Sequence, residues 1–120
     1  MRVRLSKTFR FESAHFLPCF PEGHKCRRMH GHSFRVEVVV AGEVPDGRGY
    51  LVDYADIGAA VKPVIDRLDH RVLNEIDGLE NPTSEVIAAW VWEQIAEALP
   101  LLDAVIVYET CTSRCEYGGP

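Results

Sequence analysis

The sequence predicts an α+β domain, an antiparallel four-stranded sheet with two helices packed on one face. Three observations carry this reading. Residues 2–13 and 33–41 alternate apolar and polar side chains at the two-residue period of a strand, and residues 103–109 form a further strand-like apolar run. Residues after Asp53 instead repeat apolar side chains at i, i+3, i+4 and i+7, the stripe of an amphipathic helix. Strands come first, then two consecutive helices, then strand again, which is a layered α+β order.

The first strand sets Val3, Leu5, Phe9 and Phe11 against Arg4, Arg10 and Glu12, and ends near His15. Residues 17–29 carry two prolines, a glycine and several charges, and read as a loop of a length that often serves function. The second strand begins at His30 and His32 and continues with Phe34, Val36, Val38 and Val40. Pro45-Asp46-Gly47-Arg48-Gly49 is a turn, and Tyr50-Leu51-Val52 is expected to return as a short strand.

Asp53 caps the first helix, whose stripe is Ile57, Ala60, Val61, Val64, Ile65 and Leu68. Pro63 inside it removes one hydrogen bond and predicts a kink. Asn81-Pro82-Thr83-Ser84-Glu85 opens the second helix, expected to run through Trp90 and Trp92 to Leu99 before Pro100. That helix is apolar almost all round, which predicts cover on more than one side and points to contacts between subunits. Arg114-Cys115-Glu116-Tyr117 adds a short last strand.

With 120 residues and 47% apolar content the chain reads as one domain, residues 1–120. A formal charge of −5 argues against a general nucleic-acid binder. No run approaches a membrane span and the first residues lack a signal-peptide pattern, so a cytoplasmic protein is expected. The four cysteines form no CxxC pair and read as free thiols.

His30 and His32, at i and i+2 of a strand, point to one face, and an antiparallel neighbour carrying His15 adds a third imidazole. Three imidazoles with an open position are the ligand set of a catalytic zinc site, although imidazole also suits iron and copper. Cys26 lies four residues before His30 among Lys25, Arg27 and Arg28, a setting in which thiols become reactive. It is either a fourth ligand or, as favoured here, a base standing off the metal.

Asp69-His70 follows the first helix and forms either a proton-transfer unit or a helix-end dipole partner. Glu109, after an apolar strand, is either solvated or accepts paired hydrogen bonds from a planar ring. Thr83 and Ser84 have hydroxyls for the same pocket, but helix capping also accounts for them. Lys25, Arg27 and Arg28 read as solvated charge or as attraction for a polyphosphate.

Taken together, Phe11-Glu12-Ser13-Ala14-His15, Cys26-Arg27-Arg28-Met29-His30-Gly31-His32, Leu68-Asp69-His70, Asn81-Pro82-Thr83-Ser84-Glu85 and Tyr108-Glu109-Thr110 resemble the 6-pyruvoyl-tetrahydropterin synthase family over essentially the whole chain. The three-residue spacing between Cys26 and His30 resembles its bacterial, carboxy-forming queuosine branch. The resemblance implies the tunnelling fold, with trimers or paired trimers closing their sheets into a barrel and active sites at subunit interfaces. It implies Zn2+ on His15, His30 and His32, proton transfer by Cys26, Asp69 and His70, and Glu109 as pterin anchor with Thr83 and Ser84 near the ring. Asp69 and His70 would reach the site from a neighbouring subunit.

The implied substrate is 7,8-dihydroneopterin triphosphate, with loss of triphosphate and release of acetaldehyde to leave a ring carboxylate. No nucleic acid or membrane partner is implied. Three alternatives stand beside this: a synthase that stops at the pyruvoyl product, a non-catalytic zinc module using Cys26 as fourth ligand, and a three-histidine zinc hydrolase.

Overall fold

The computed structural model describes residues 1–120. Four strands, β1 (Arg2–His15), β2 (His30–Glu43), β3 (Leu102–Tyr108) and β4 (Arg114–Tyr117), form one antiparallel sheet in the order β1-β2-β3-β4. Two helices, α1 (Tyr54–Leu68) and α2 (Ser84–Ile95), connect β2 to β3 and cover one face of the sheet. The α+β layering expected from the sequence is the observed one.

β1 and β2 pair without interruption from Arg2↔Glu43 to His15↔His30. This register fixes which residues share a face, because side chains alternate across a strand. Odd residues of β1 and even residues of β2 point toward the helices: Phe9, Phe11, Phe34, Val36, Val38 and Val40 are all buried in the main core. The same alternation carries on past Phe11 and Phe34 to Ser13, His15, His30 and His32. The three histidines therefore continue the core face of the sheet at the end the helices leave uncovered.

α1 begins at Asp53, whose carboxylate accepts a 2.8 Å bond from the Ala55 N–H. Its buried side is Ile57, Gly58, Val61, Val64, Ile65 and Leu68. The helix is continuous through Pro63, which sits on the exposed side where a missing N–H is easily tolerated.

Two expectations are corrected. Tyr50-Leu51-Val52 forms a bend and pairs with no strand. Leu51 is buried against the main core there, so its apolar character reflects packing and not sheet pairing. α2 ends at Ile95 and the chain continues to Leu99 as a turn, closed by the Leu99 N–H on the Ile95 carbonyl at 3.0 Å. Much of the apolar surface of α2 is covered within the chain, while Val86, Ala89 and Trp92 are half-buried. Trp90 donates to the Asp77 carbonyl at 3.1 Å and lies beneath Arg67, while Trp92 meets Tyr117 of β4 edge-on. Gly78 and Gly119, both with positive φ, let the backbone approach these two indoles where a Cβ would crowd them.

Candidate active site

His15 lies directly opposite His30 in the β1–β2 ladder, and His32 is the diagonal neighbour across from Ser13. Ring centroids are 4.6 Å apart for His15–His30, 5.2 Å for His15–His32 and 4.9 Å for His30–His32. One nitrogen from each ring falls within 4.8 Å of the others. The stacked pair Phe11–Phe34, with centroids 4.8 Å apart, lies beneath, and Phe34 meets both His15 and His32 edge-on. An apolar floor of this kind strengthens electrostatic interactions above it.

Backbone carbonyls select which nitrogens face inward. His15 Nδ1 donates to the Pro82 carbonyl at 2.9 Å, and His30 Nδ1 donates to the Arg28 carbonyl at 2.6 Å. A carbonyl only accepts, so both rings carry their proton on Nδ1 and present Nε2 as a lone pair. His15 Nε2 is buried and has no hydrogen-bond partner, and Glu109 Oε1, 3.4 Å away, is orphaned likewise. Two unpartnered acceptor atoms at the bottom of a cluster of three imidazoles fit a cation. The three histidines thus suit a zinc ion with an open position.

Burial lowers the His15 pKa from 6.5 to about 4; the Pro82 carbonyl opposes this, while His30 and His32 add to it. Burial also lowers that of His32, against the raising effect of Glu109. His15 and His32 are therefore favoured as neutral imidazoles at neutral pH. An unfolded chain protonates His15 near its ordinary value, so the unfolded state takes up that proton first as pH falls. The metal-free fold holds the His15 contribution above pH 6.5 and loses it progressively down to about pH 4. The loss is about 3 kcal/mol. Urea unfolding in chelator at pH 7, 5 and 4 is expected to show this slope in the wild type and a shallower one in His15→Leu. Equal slopes would remove the assignment.

Cys26 sits in the 3-10 turn Lys25–Arg27, which His24 caps by accepting from the Cys26 N–H at 3.1 Å. The Cys26 carbonyl accepts from the Leu17 N–H at 2.8 Å, tying the turn back to the chain just past His15. Cys26 lines a cavity of about 410 Å³ with Lys25, His30, His32, Glu109 and Thr110, but it is outside the three-histidine cluster. Of the three flanking cations, only Lys25 faces this cavity. Arg27 is spent on the loop, donating to the Pro18 and Phe20 carbonyls at 3.1 and 2.8 Å. All four cysteines are free.

Glu109 follows β3 on the same face as Val105 and Val107, which explains why it reaches His15. It also borders a second cavity of about 340 Å³ with Ser84, Glu85, Ser113, Arg114 and Cys115. Thr83 is occupied as the α2 cap, its hydroxyl accepting from the Val86 N–H at 3.2 Å. Ser84 is the hydroxyl that lines the cavity.

Asp69 and His70 pair at 2.9 Å through Asp69 Oδ2 and His70 Nδ1. They lie on the outer edge of β1, where the Glu12 N–H donates to Asp69 Oδ1 at 2.8 Å and the Glu12 carbonyl accepts from the His70 N–H. These bonds, the Glu12 N–H first and His70 next, hold the Asp69 carboxyl below its ordinary range. His70 adopts φ 55°, a left-handed conformation uncommon outside glycine, and its side chain is 78% exposed. The chain does not bring this pair to its own Cys26.

A sheet of this topology with helices on one face, ending in an open three-histidine cluster, defines the chain as a tunnelling-fold protein. Residues 4–120 match the family described as 6-pyruvoyl tetrahydropterin synthase, and the chain belongs to that enzyme family. A 6-carboxy-5,6,7,8-tetrahydropterin synthase of Synechocystis is 47% identical, over 95% of this chain and 92% of its own length. A dihydroneopterin monophosphate aldolase of Pyrococcus furiosus is 38% identical over 83% of this chain and 81% of its own. The structure of Caenorhabditis elegans 6-pyruvoyl tetrahydropterin synthase superposes with a TM-score of 0.90 at 25% identity, covering 100% of this chain and 97% of the other. No helix is long and apolar enough to cross a membrane.

Proposed function

We propose that this chain is a zinc-dependent 6-carboxy-5,6,7,8-tetrahydropterin synthase acting in the cytoplasm in queuosine biosynthesis. The reaction takes 7,8-dihydroneopterin triphosphate and water to the carboxypterin, acetaldehyde and triphosphate. The observation that carries this reading is that His30, His32, Cys26 and Glu109 line one cavity, with His15 buried beside them and its Nε2 3.4 Å from an orphaned Glu109 oxygen.

Zinc held by His15, His30 and His32 supplies Lewis acidity toward the side-chain oxygens of the substrate. Glu109 accepts from the adjacent N–H donors of the pterin ring and fixes its orientation, with Ser84 and Thr83 bordering the ring. Cys26, as thiolate, takes a proton from the substrate side chain. The Asp69–His70 pair exchanges the second proton through His70 Nε2, since Nδ1 is engaged by Asp69. Asp69 and His70 face outward from the β1 edge, so they would serve the cavity of a neighbouring copy in a trimer or paired trimers.

Lys25 is the cation placed for the triphosphate. Lys25→Ala is expected to raise KM about tenfold with a smaller effect on kcat, in line with the loss of one charge-assisted contact. An unchanged KM would remove Lys25 from substrate binding.

Product analysis tests the function itself. Incubation of the zinc-loaded protein with dihydroneopterin triphosphate is expected to yield acetaldehyde and a carboxypterin in equal amounts. A pyruvoyl product without acetaldehyde would instead mark a synthase that stops after elimination. The aldolase named among the relatives makes a second reading: turnover of dihydroneopterin monophosphate with cleavage of the side chain and no carboxypterin would favour it.

A further inference from the structure

Asn74, half-buried in the middle of the 3-10 turn Leu73–Glu75, makes three hydrogen bonds to backbone. Its Oδ1 accepts from the Phe16 N–H at 3.1 Å, and its Nδ2 donates to the Phe16 carbonyl at 2.7 Å and to the Glu80 carbonyl at 3.3 Å. Phe16 is the first residue past the end of β1, so its backbone groups have left the ladder with β2. Asn74 supplies the partners that the strand no longer provides.

Both ends of this bridge bear on His15. Phe16 directly follows it, and Glu80 lies two residues before Pro82, whose carbonyl fixes the His15 proton on Nδ1. Leu17, next along, holds the Cys26 carbonyl. One amide therefore spans the backbone that carries the ligand, the loop that orients it and the approach to the cysteine turn. The neighbouring contacts point the same way: the Ala14 N–H donates to the Arg71 carbonyl at 3.0 Å, and the Ser13 hydroxyl donates to the Leu68 carbonyl.

We propose that Asn74 is a positioning residue for the metal site, holding His15 and the Pro82 carbonyl in register so that His15 presents Nε2. It rests on the reading of His15, His30 and His32 as zinc ligands. Asparagine alone fits both roles, since Asn74→Asp keeps the acceptor for Phe16 N–H but sets a carboxylate against the Phe16 and Glu80 carbonyls. Asn74→Ala removes all three bonds.

Zinc affinity by chelator competition is expected to fall about tenfold in both variants, the scale of an outer-shell loss. In zinc-free protein at pH 8, the ¹⁵N correlation spectrum of wild-type His15 should show the Nδ1–H tautomer alone, and both variants should show a mixture with Nε2–H. Val105→Ala in the core serves as a control for general destabilisation. Affinity within twofold of wild type in both variants, or an equal loss in the control, would overturn the role of Asn74. Failure of the wild type to bind zinc at all would instead overturn the metal reading.

Discussion

Cys26→Ala is expected to abolish turnover while leaving zinc in place. Its thiol lines the cavity but stands outside the group formed by His15, His30 and His32, and both strand-borne ligands with carbonyl partners are oriented without it. A base removed from a proton-transfer step lowers kcat by about 10³, near 4 kcal/mol of barrier. Bound zinc per chain, measured on the same preparation, should equal that of the wild type. Loss of zinc together with activity would identify Cys26 as a fourth ligand and make the centre structural. Cys26→Ser adds a finer reading: a hydroxyl retains the volume but is a far weaker base at neutral pH, so it should track alanine in rate and wild type in stability.

The sheet and its three-histidine face were legible in the sequence because one rule governs both. The alternation that buries Phe9, Phe11, Phe34 and Val36 is the alternation that aligns His15, His30 and His32, so a strand reading carries the histidine cluster with it. Tyr50-Leu51-Val52 misleads because a buried residue in a bend is as apolar as one in a strand. α2 is legible only in part, since nothing in its composition shows that Tyr117, Gly119 and Asp77 of the same chain meet the two tryptophans.

The parts of the site that were not legible act through the backbone. The Pro82 and Arg28 carbonyls set the tautomers of His15 and His30, and no side-chain pattern marks a carbonyl as an acceptor. Asn74 likewise reads as an ordinary turn residue until its three partners are seen. Arg27 shows the reverse case: adjacent to Cys26 in sequence, it is committed to loop carbonyls, so proximity along the chain overstated its part in the site.

Two inactive variants, Cys26→Ala and His70→Ala, are expected to regain activity when their subunits are mixed. The Asp69–His70 pair is held to the outer edge of β1 by two bonds to Glu12, on the side away from β2, while Cys26 and His30 lie at the other side of the same strand. Reaching its own Cys26 would require His70 to give up the Glu12 carbonyl and the left-handed turn that aims it outward. A neighbouring copy requires neither. If each site joins Cys26 of one subunit to His70 of the next, random mixing at equal ratio gives about a quarter of sites with both groups intact. Co-expressed subunits, purified without selecting for mixed oligomers, should therefore recover up to about that share of wild-type kcat, whereas sites built within one chain would leave every mixture inactive. The same mixture made with Cys26→Ala and Glu109→Gln should stay inactive if those two residues serve one cavity of one chain, as their shared lining indicates, beyond the small residue that either variant shows alone.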